Sequence, residues 1–348
     1  MAMLFPLFPP LPEDNLVPAT VTEEFILDLK DRVILGEEIS YEDALSLVHL
    51  EDEHLLKSLF SAAREITFFY HSDKAHLCSL MNAKSYLCGE DCAFCAQSVR
   101  YATEATRYEL VSSDAMVETA KKNEAQGIKT FCIVTSGASL NNEEFEHILD
   151  AVRRLKKETN LHIDGSLGFL TPERVKRLKE AGMRRFNDNL QTSREYYTNI
   201  VSTHSYDTRL QTLDYLKQEG MDLCSGGIFG MGESKEDRIK LAFELKQYAP
   251  ECVPVNILNP RLGTPLEHTP KIDPKEVVKT IAVYRFILPK SNIKLAGGRE
   301  QGLGEHQVLA LRAGANGMIT GGYLTTDGNS FEADKALLRE AGLEPAED

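Results

Sequence analysis

Leu161-His-Ile-Asp-Gly-Ser-Leu167, then Thr171-Pro-Glu173, then Gly182, then Arg184-Arg-Phe-Asn-Asp-Asn-Leu190 spell out one strand, one helix and a second strand. The two apolar runs are short enough for buried strands. Thr171 can cap a helix, Pro172 suits its first turn, and Gly182 can end it. The same unit recurs along the chain. Short apolar runs occupy 76–83, 129–136, 161–167, 184–190, 221–229, 252–258, 292–296 and 315–320, with amphipathic helical stretches between them. Asp114 can cap the helix that stops at Gly127. Eight strand–helix alternations predict an α/β fold, a (β/α)8 TIM-type barrel over residues 72–343. An open doubly wound sheet is the competing arrangement.

Outside the barrel, 21–71 reads as helical, with apolar residues at three- and four-residue spacing over 23–35 and 41–63. Ser40 or Tyr41 can start the second of these segments. This N-terminal helical segment is expected to pack on the barrel. Residues 1–20 carry Pro6, Pro9, Pro10, Pro12 and Pro18, which predicts an extended arm. The last five residues, 344–348, read as a tail.

Barrel chemistry belongs at the C-terminal ends of the strands. The connection after the first strand, 84–113, is long and aperiodic, and it holds Cys88-Gly-Glu-Asp-Cys92-Ala-Phe-Cys95. Loops of that length in compact domains are usually functional or disordered. Three thiolates at this spacing can hold three irons of a four-iron cluster and leave the fourth without a protein ligand. A structural zinc site would want four ligands in two pairs, and no second pair follows at zinc spacing. Seven cysteines in 348 residues are too sparse for a disulfide framework. One-electron enzyme chemistry is the expectation.

Composition limits the alternatives. The net charge is −14 and the sequence pI about 5.2, so the average surface repels a phosphate backbone, and no nucleic-acid partner is expected. No apolar stretch approaches membrane-span length. The first eighteen residues carry no basic residue ahead of an apolar core, as an export signal would. Free thiols without such a signal predict a reducing cytoplasm.

The cysteine triplet, with Ser79-Leu-Met-Asn-Ala-Lys-Ser85 before it and Ala96-Gln-Ser98 after it, resembles the radical S-adenosylmethionine enzymes. Among them the chain resembles the biotin synthase family closely. The likeness continues through Phe186-Asn-Asp-Asn-Leu-Gln-Thr-Ser193, Tyr206-Asp-Thr-Arg-Leu-Gln-Thr-Leu213 and Cys224-Ser-Gly-Gly-Ile-Phe-Gly-Met-Gly-Glu233. It ends in Val253-Pro-Val-Asn-Ile-Leu258 and Ala296-Gly-Gly-Arg-Glu-Gln301. The triplet alone names only the superfamily; the combination is specific.

The resemblance implies two iron–sulfur clusters with substrate between them. A [4Fe-4S] cluster on Cys88, Cys92 and Cys95 would bind S-adenosylmethionine through its open iron and reduce it. The resulting 5′-deoxyadenosyl radical would take hydrogen from dethiobiotin, and an auxiliary cluster would supply sulfur to close the ring of biotin. An electron donor of the flavodoxin or ferredoxin type and a homodimer are implied as well. A methylornithine synthase or a hydrogenase-cluster maturase is the alternative within this chemistry, and a non-catalytic iron–sulfur protein the alternative outside it.

Cofactor contacts carry over by likeness to Phe94, Ser136, Asn189, Gln191, Arg209, Gly226, Gly227, Ile228 and Glu233. Gly226, Gly227, Gly230 and Gly232 would let backbone approach the adenosyl group. Arg209 matches the position that pairs with the methionyl carboxylate. Gln191 stands where the family usually has aspartate, and an amide can both donate and accept. Thr135, Asn187, Asn189 and Asn256 match substrate contacts, with Asn187 and Asn189 expected on one face of the fourth strand.

The chain departs from the family at the auxiliary cluster. Cys132, Cys224 and Arg299 match three of the four usual ligands, but the remaining cysteine position is Asp164. Cys78 and Cys252 are extra, each where the common form has serine. Strand alternation allows Cys78, Cys132, Cys224 and Cys252 all to point inward. The expected auxiliary site is therefore rebuilt on Cys78, Cys132, Cys224 and Cys252 and suits four irons better than two. Arg299 would then stand behind the ligands rather than among them.

Overall fold

The computed structural model describes residues 20–326 and 328–346. The Pro-rich arm expected over 1–20 therefore lies, save Thr20, outside the described residues. Ten strands form one sheet system: β1 Lys74–Lys84, β2 Thr130–Thr135, β3 His162–Ser166, β4 Arg185–Asn187, β5 Asp222–Cys224, β6 Gly227–Phe229, β7 Cys252–Ile257, β8 Asn292–Leu295, β9 Gly317–Thr320 and β10 Glu344–Pro345. Every pairing is parallel, and β9 returns to β1 with His76 opposite Gly317. That pairing closes the barrel, so the open sheet is excluded.

The fifth apolar run forms two short strands rather than one. Both β5 and β6 pair with β7, with Cys224 opposite Cys252 and Gly227 opposite Val255. The break falls opposite Pro254, which has no N–H to give to the ladder. Gly226 sits so close there that a Cβ would lie 2.0 Å from the Pro254 carbonyl oxygen.

Helix starts follow local chemistry. Thr171 caps Pro172–Ala181, and Gly182 ends it at φ 108°, as read from sequence. The cap of Ser113–Ala125 is Ser112 rather than Asp114, because the serine hydroxyl accepts the Ala115 N–H. The helix expected over 41–63 is two helices, Tyr41–Val48 and Glu53–His71. Asp52 restarts it by accepting the N–H groups of His54 and Leu55. These N-terminal helices pack on Pro274–Ile287, which is buried along most of its length. Residues 344–345, expected in the tail, form β10 beside the start of β1. Among the described residues, no helix is long and apolar enough to cross a membrane.

Candidate active site

A cavity of about 340 Å³ opens within the barrel. Alternation along the strands sets its walls. Cys78 and Leu80 of β1, Cys132 and Val134 of β2, and Asp164 and Ser166 of β3 all line it, each pair two residues apart. Cys224, Pro254, Asn256 and Lys294 continue the ring. The three loop cysteines stand over the same cavity, with Phe94 between Cys92 and Cys95. Both sets of thiols therefore face one space.

The loop is shaped before any ligand arrives. Tyr86 and Leu87, just ahead of Cys88, have φ of 64° and 59°, a region that costs about 1–3 kcal/mol for each such residue. The surroundings hold them there. Gln97 Oε1 accepts from the Tyr86 N–H at 3.2 Å, and the Val99 N–H donates to the Cys88 carbonyl at 2.8 Å. Asp91 accepts from the N–H groups of Ser202 (2.9 Å) and Thr203 (3.1 Å) and from the Thr203 hydroxyl (2.9 Å). Burial opposes its charge, but those donors hold its carboxyl well below the usual range. This anchor is present above the ordinary carboxylate pKa and is lost only as pH falls through the depressed one.

Burial pushes the thiols up, Cys92 to about 12 and Cys95 to about 11. Binding as thiolate to a metal cluster removes that penalty, so the donor chemistry fits iron. Among the described residues, no three Cys, His, Asp or Glu side chains gather around a point that would hold a single metal ion. The cavity wall also carries buried polar atoms without a protein partner: Thr135 Oγ1, Asp164 Oδ1, Asn187 Oδ1, Asp188 Oδ2 and Gln191 Oε1. Such atoms are rarely left unpaired unless a ligand or water completes them. They fit a polar ligand such as a nucleoside or amino acid.

Arg209 lines the cavity, with Nη1 on Asp188 at 2.6 Å and Nε on the Tyr197 hydroxyl at 2.7 Å. His204 joins Glu90 (2.6 Å) to Arg209 (3.2 Å) and so ties the cysteine loop to the guanidinium. Burial raises Asp188 to about 6, against the pull of Arg209. Asn187 ends β4, and Asn189 follows in the loop rather than on the strand. Both still line the cavity, and Asn189 Oδ1 accepts the Gly226 N–H at 3.0 Å. Asn256 bridges barrel staves, donating to the Gly227 carbonyl (3.1 Å) and accepting from the Gly297 N–H (3.0 Å). Ser136, Ile228, Thr135 and Gln191 are also on the wall; the Ser136 hydroxyl donates to the Tyr86 carbonyl.

Other expected contacts are placed elsewhere. Glu233 does not line the cavity; its carboxylate accepts the N–H groups of Gly230 and Met231 at 2.8 and 2.7 Å. Gly226 and Gly227 are off the wall too, pressed against Pro254, Leu241 and Gln191. Their missing side chains make room for barrel packing. Gly226→Ala is therefore expected to lower stability by about 1–3 kcal/mol, read by thermal unfolding, rather than to raise selectively the KM for S-adenosylmethionine.

Arg299 is turned away from the cavity. Nη2 holds both oxygens of Asp334 at 2.8 Å, Nη1 donates to Gln307, and Nε reaches the Ile319 carbonyl at 3.3 Å. Asp334 is fully buried, so withdrawing the arginine would strand a carboxylate. Arg299 is not placed as a cluster ligand. Cys252 does not line the cavity, although it shares the β7 face of Pro254 and Asn256; it is fully buried, and its thiol is paired with Cys224. Asp164 is held by Arg185 through Nε (2.9 Å) and Nη2 (2.8 Å). Sequence reading missed Arg185, Asp188, Lys294 and Tyr323. Only for Asp188 was a signal available, in the repeated Asn187-Asp-Asn189 pattern.

Two family descriptions match the chain: the radical SAM superfamily over residues 84–245, and the Biotin and Thiamin Synthesis associated domain over 254–344. A biotin synthase of Clostridium tetani (strain Massachusetts / E88) is 42% identical over 321 residues, covering 92% of this chain and 98% of the relative. A biotin synthase of Carboxydothermus hydrogenoformans is 44% identical over 320 residues, covering 91% and 98%. The crystal structure of a methylornithine synthase superposes with a TM-score of 0.80 at 25% identity, covering 91% of this chain and 97% of that one. The [FeFe]-hydrogenase maturase HydG reaches 0.81 at 20% identity, covering 94% and 77%, which is a likeness of fold.

Proposed function

This chain belongs to the biotin synthase family of radical SAM enzymes, and from that premise we propose that it inserts sulfur into dethiobiotin to form biotin. The observation that carries this reading is that both thiol sets face one and the same cavity, with unpartnered polar atoms on its wall. Cys88, Cys92 and Cys95 hold the [4Fe-4S] cluster. The bound clusters and S-adenosylmethionine supply the one-electron chemistry and the sulfur. The chain's own residues position and exclude water. Arg209, kept in place by Asp188 and Tyr197, presents its guanidinium to the methionyl carboxylate. Asn189, Gln191, Ser136, Phe94 and Ile228 frame the nucleoside, and Thr135, Asn187 and Asn256 frame dethiobiotin.

Cys78, Cys132 and Cys224 hold the auxiliary cluster, with the Cys252 thiol paired to that of Cys224 on the neighbouring strand. Three cavity-facing thiols suit a four-iron centre better than the two-iron form. An electron donor of the flavodoxin or ferredoxin type, assembly as a homodimer and a cytoplasmic setting come with the family likeness.

Anaerobically reconstituted protein, given dethiobiotin, S-adenosylmethionine and a strong reductant, is expected to produce biotin and to hold about eight irons per chain, four in each cubic cluster. Deoxyadenosine release without biotin would point to another radical enzyme of this fold. Six irons, with Mössbauer signals of a two-iron centre, would overturn the four-iron assignment.

A further inference from the structure

The cavity holds a cation that no carboxylate among the described residues claims. Lys294 on β8 is 3% exposed and lines the cavity beside the thiols. It sits between Pro254 of β7 and Gly317 of β9. The neighbouring strand gives up a side chain for it: a Cβ on Gly317 would lie 2.6 Å from Lys294 Cγ. Among the described residues, no carboxylate pairs with its ammonium. Asp164, a carboxylate on the same cavity wall, is held through two bonds by Arg185. The groups whose charge acts on Lys294 are the thiols of Cys252, Cys78 and Cys224, together with the Arg185 guanidinium.

An unpaired ammonium in a closed interior is strongly unfavourable, so a built niche for one implies an anion that arrives later. Asp164 and Arg185 cancel each other, which leaves Lys294 as the uncompensated charge of the floor. Thiolate-bound iron–sulfur centres are anionic, and net charge and hydrogen bonds to sulfur set their potentials. On the auxiliary-centre reading above, we propose that Lys294 is the counter-charge of that centre, a positioning residue whose ammonium faces its sulfur and holds its reduction potential up.

The test uses the full chain with Cys88, Cys92 and Cys95 all changed to alanine, so that only the auxiliary centre can load. Iron, sulfide and midpoint potential are measured after anaerobic reconstitution, with Lys294 intact, Lys294→Met and Lys294→Arg. Lys294→Met is expected to keep its iron but to shift to a more negative potential, with Lys294→Arg returning towards the parent. Loss of iron in the Met variant but not in the Arg variant supports the same role. An unchanged potential in Lys294→Met, or an equal defect in both variants, overturns it and leaves the side chain a space-filler. If the parent with Lys294 intact binds no iron, the auxiliary-centre reading itself fails, and the lysine assignment falls with it.

Discussion

Replacing Cys92 with alanine is expected to abolish reductive cleavage of S-adenosylmethionine while leaving the barrel folded. Two thiols cannot hold the three irons that the open-site cluster needs from the protein, so the loss should be complete rather than graded. The loop itself should survive. Its anchors, Asp91 on Ser202 and Thr203 and Gln97 on Tyr86, do not involve the thiol. Cys92 is also a small side chain, and its removal leaves little void. The variant should show no deoxyadenosine release, about four fewer irons per chain and a retained signal from the auxiliary centre. Thermal unfolding of the metal-free protein should move little. Deoxyadenosine release at the parental rate would defeat the assignment of this triplet.

A second large effect is expected from Arg185→Met. Arg185 and Asp164 are buried together, 6% and 4% exposed, and two hydrogen bonds tie them across β3 and β4. Asp164 Oδ1 already lacks a partner. Removing the arginine strands a carboxylate in the barrel interior, which costs about 3–5 kcal/mol. Chemical denaturation of metal-free protein under reducing conditions would read this loss. The double variant Arg185→Met with Asp164→Leu should recover most of it, because the penalty comes from the leftover charge. A single-variant loss under about 1 kcal/mol, or no recovery in the pair, would mean that water reaches Asp164 and that the floor is less closed than its geometry implies.

The two expectations bear on different parts of one design. The cysteine loop is tied down by the hydrogen bonds of Asp91 and Gln97 rather than by its thiols, which are assigned to the proposed cluster. The floor is a charged interior, with Asp164, Arg185 and Lys294 arranged around four thiols. The departure at Asp164, where the family resemblance leads one to expect cysteine, is coherent in this setting. The aspartate has a partner of its own in Arg185, and the auxiliary ligands proposed above are Cys78, Cys132 and Cys224.

Much of this was legible in the linear chain. Eight apolar runs gave the staves, Thr171 and Gly182 marked a helix correctly, and the spacing of Cys88, Cys92 and Cys95 announced the chemistry. These signals are local: a cap, a turn or a three-residue gap acts within a few ångströms of itself. The strand period of two pointed Cys78, Cys132, Cys224 and Cys252 inward, and the first three line the cavity while Cys252 is buried off its wall. Where the reading failed locally, a nearby competitor won. Ser112 took the cap from Asp114, and Asp52 broke one helix into two.

Only closure of the barrel decided which charge meets which. Arg299 pairs with Asp334, Arg209 with Asp188, and Arg185 with Asp164, at separations of 35, 21 and 21 residues. A guanidinium has no preference along the chain; its partner is whichever carboxylate the packed interior leaves beside it and cuts off from water. The same closure put Cys252 opposite Cys224, pressed Gly226 onto Pro254 and set Lys294 among the thiols of Cys78, Cys224 and Cys252 and the Arg185 guanidinium. The order of residues along the chain determined the staves and the proposed thiol ligands, and three-dimensional packing assigned the counter-charges, because long-range electrostatics in a closed interior depends on distance in space and not on distance in sequence.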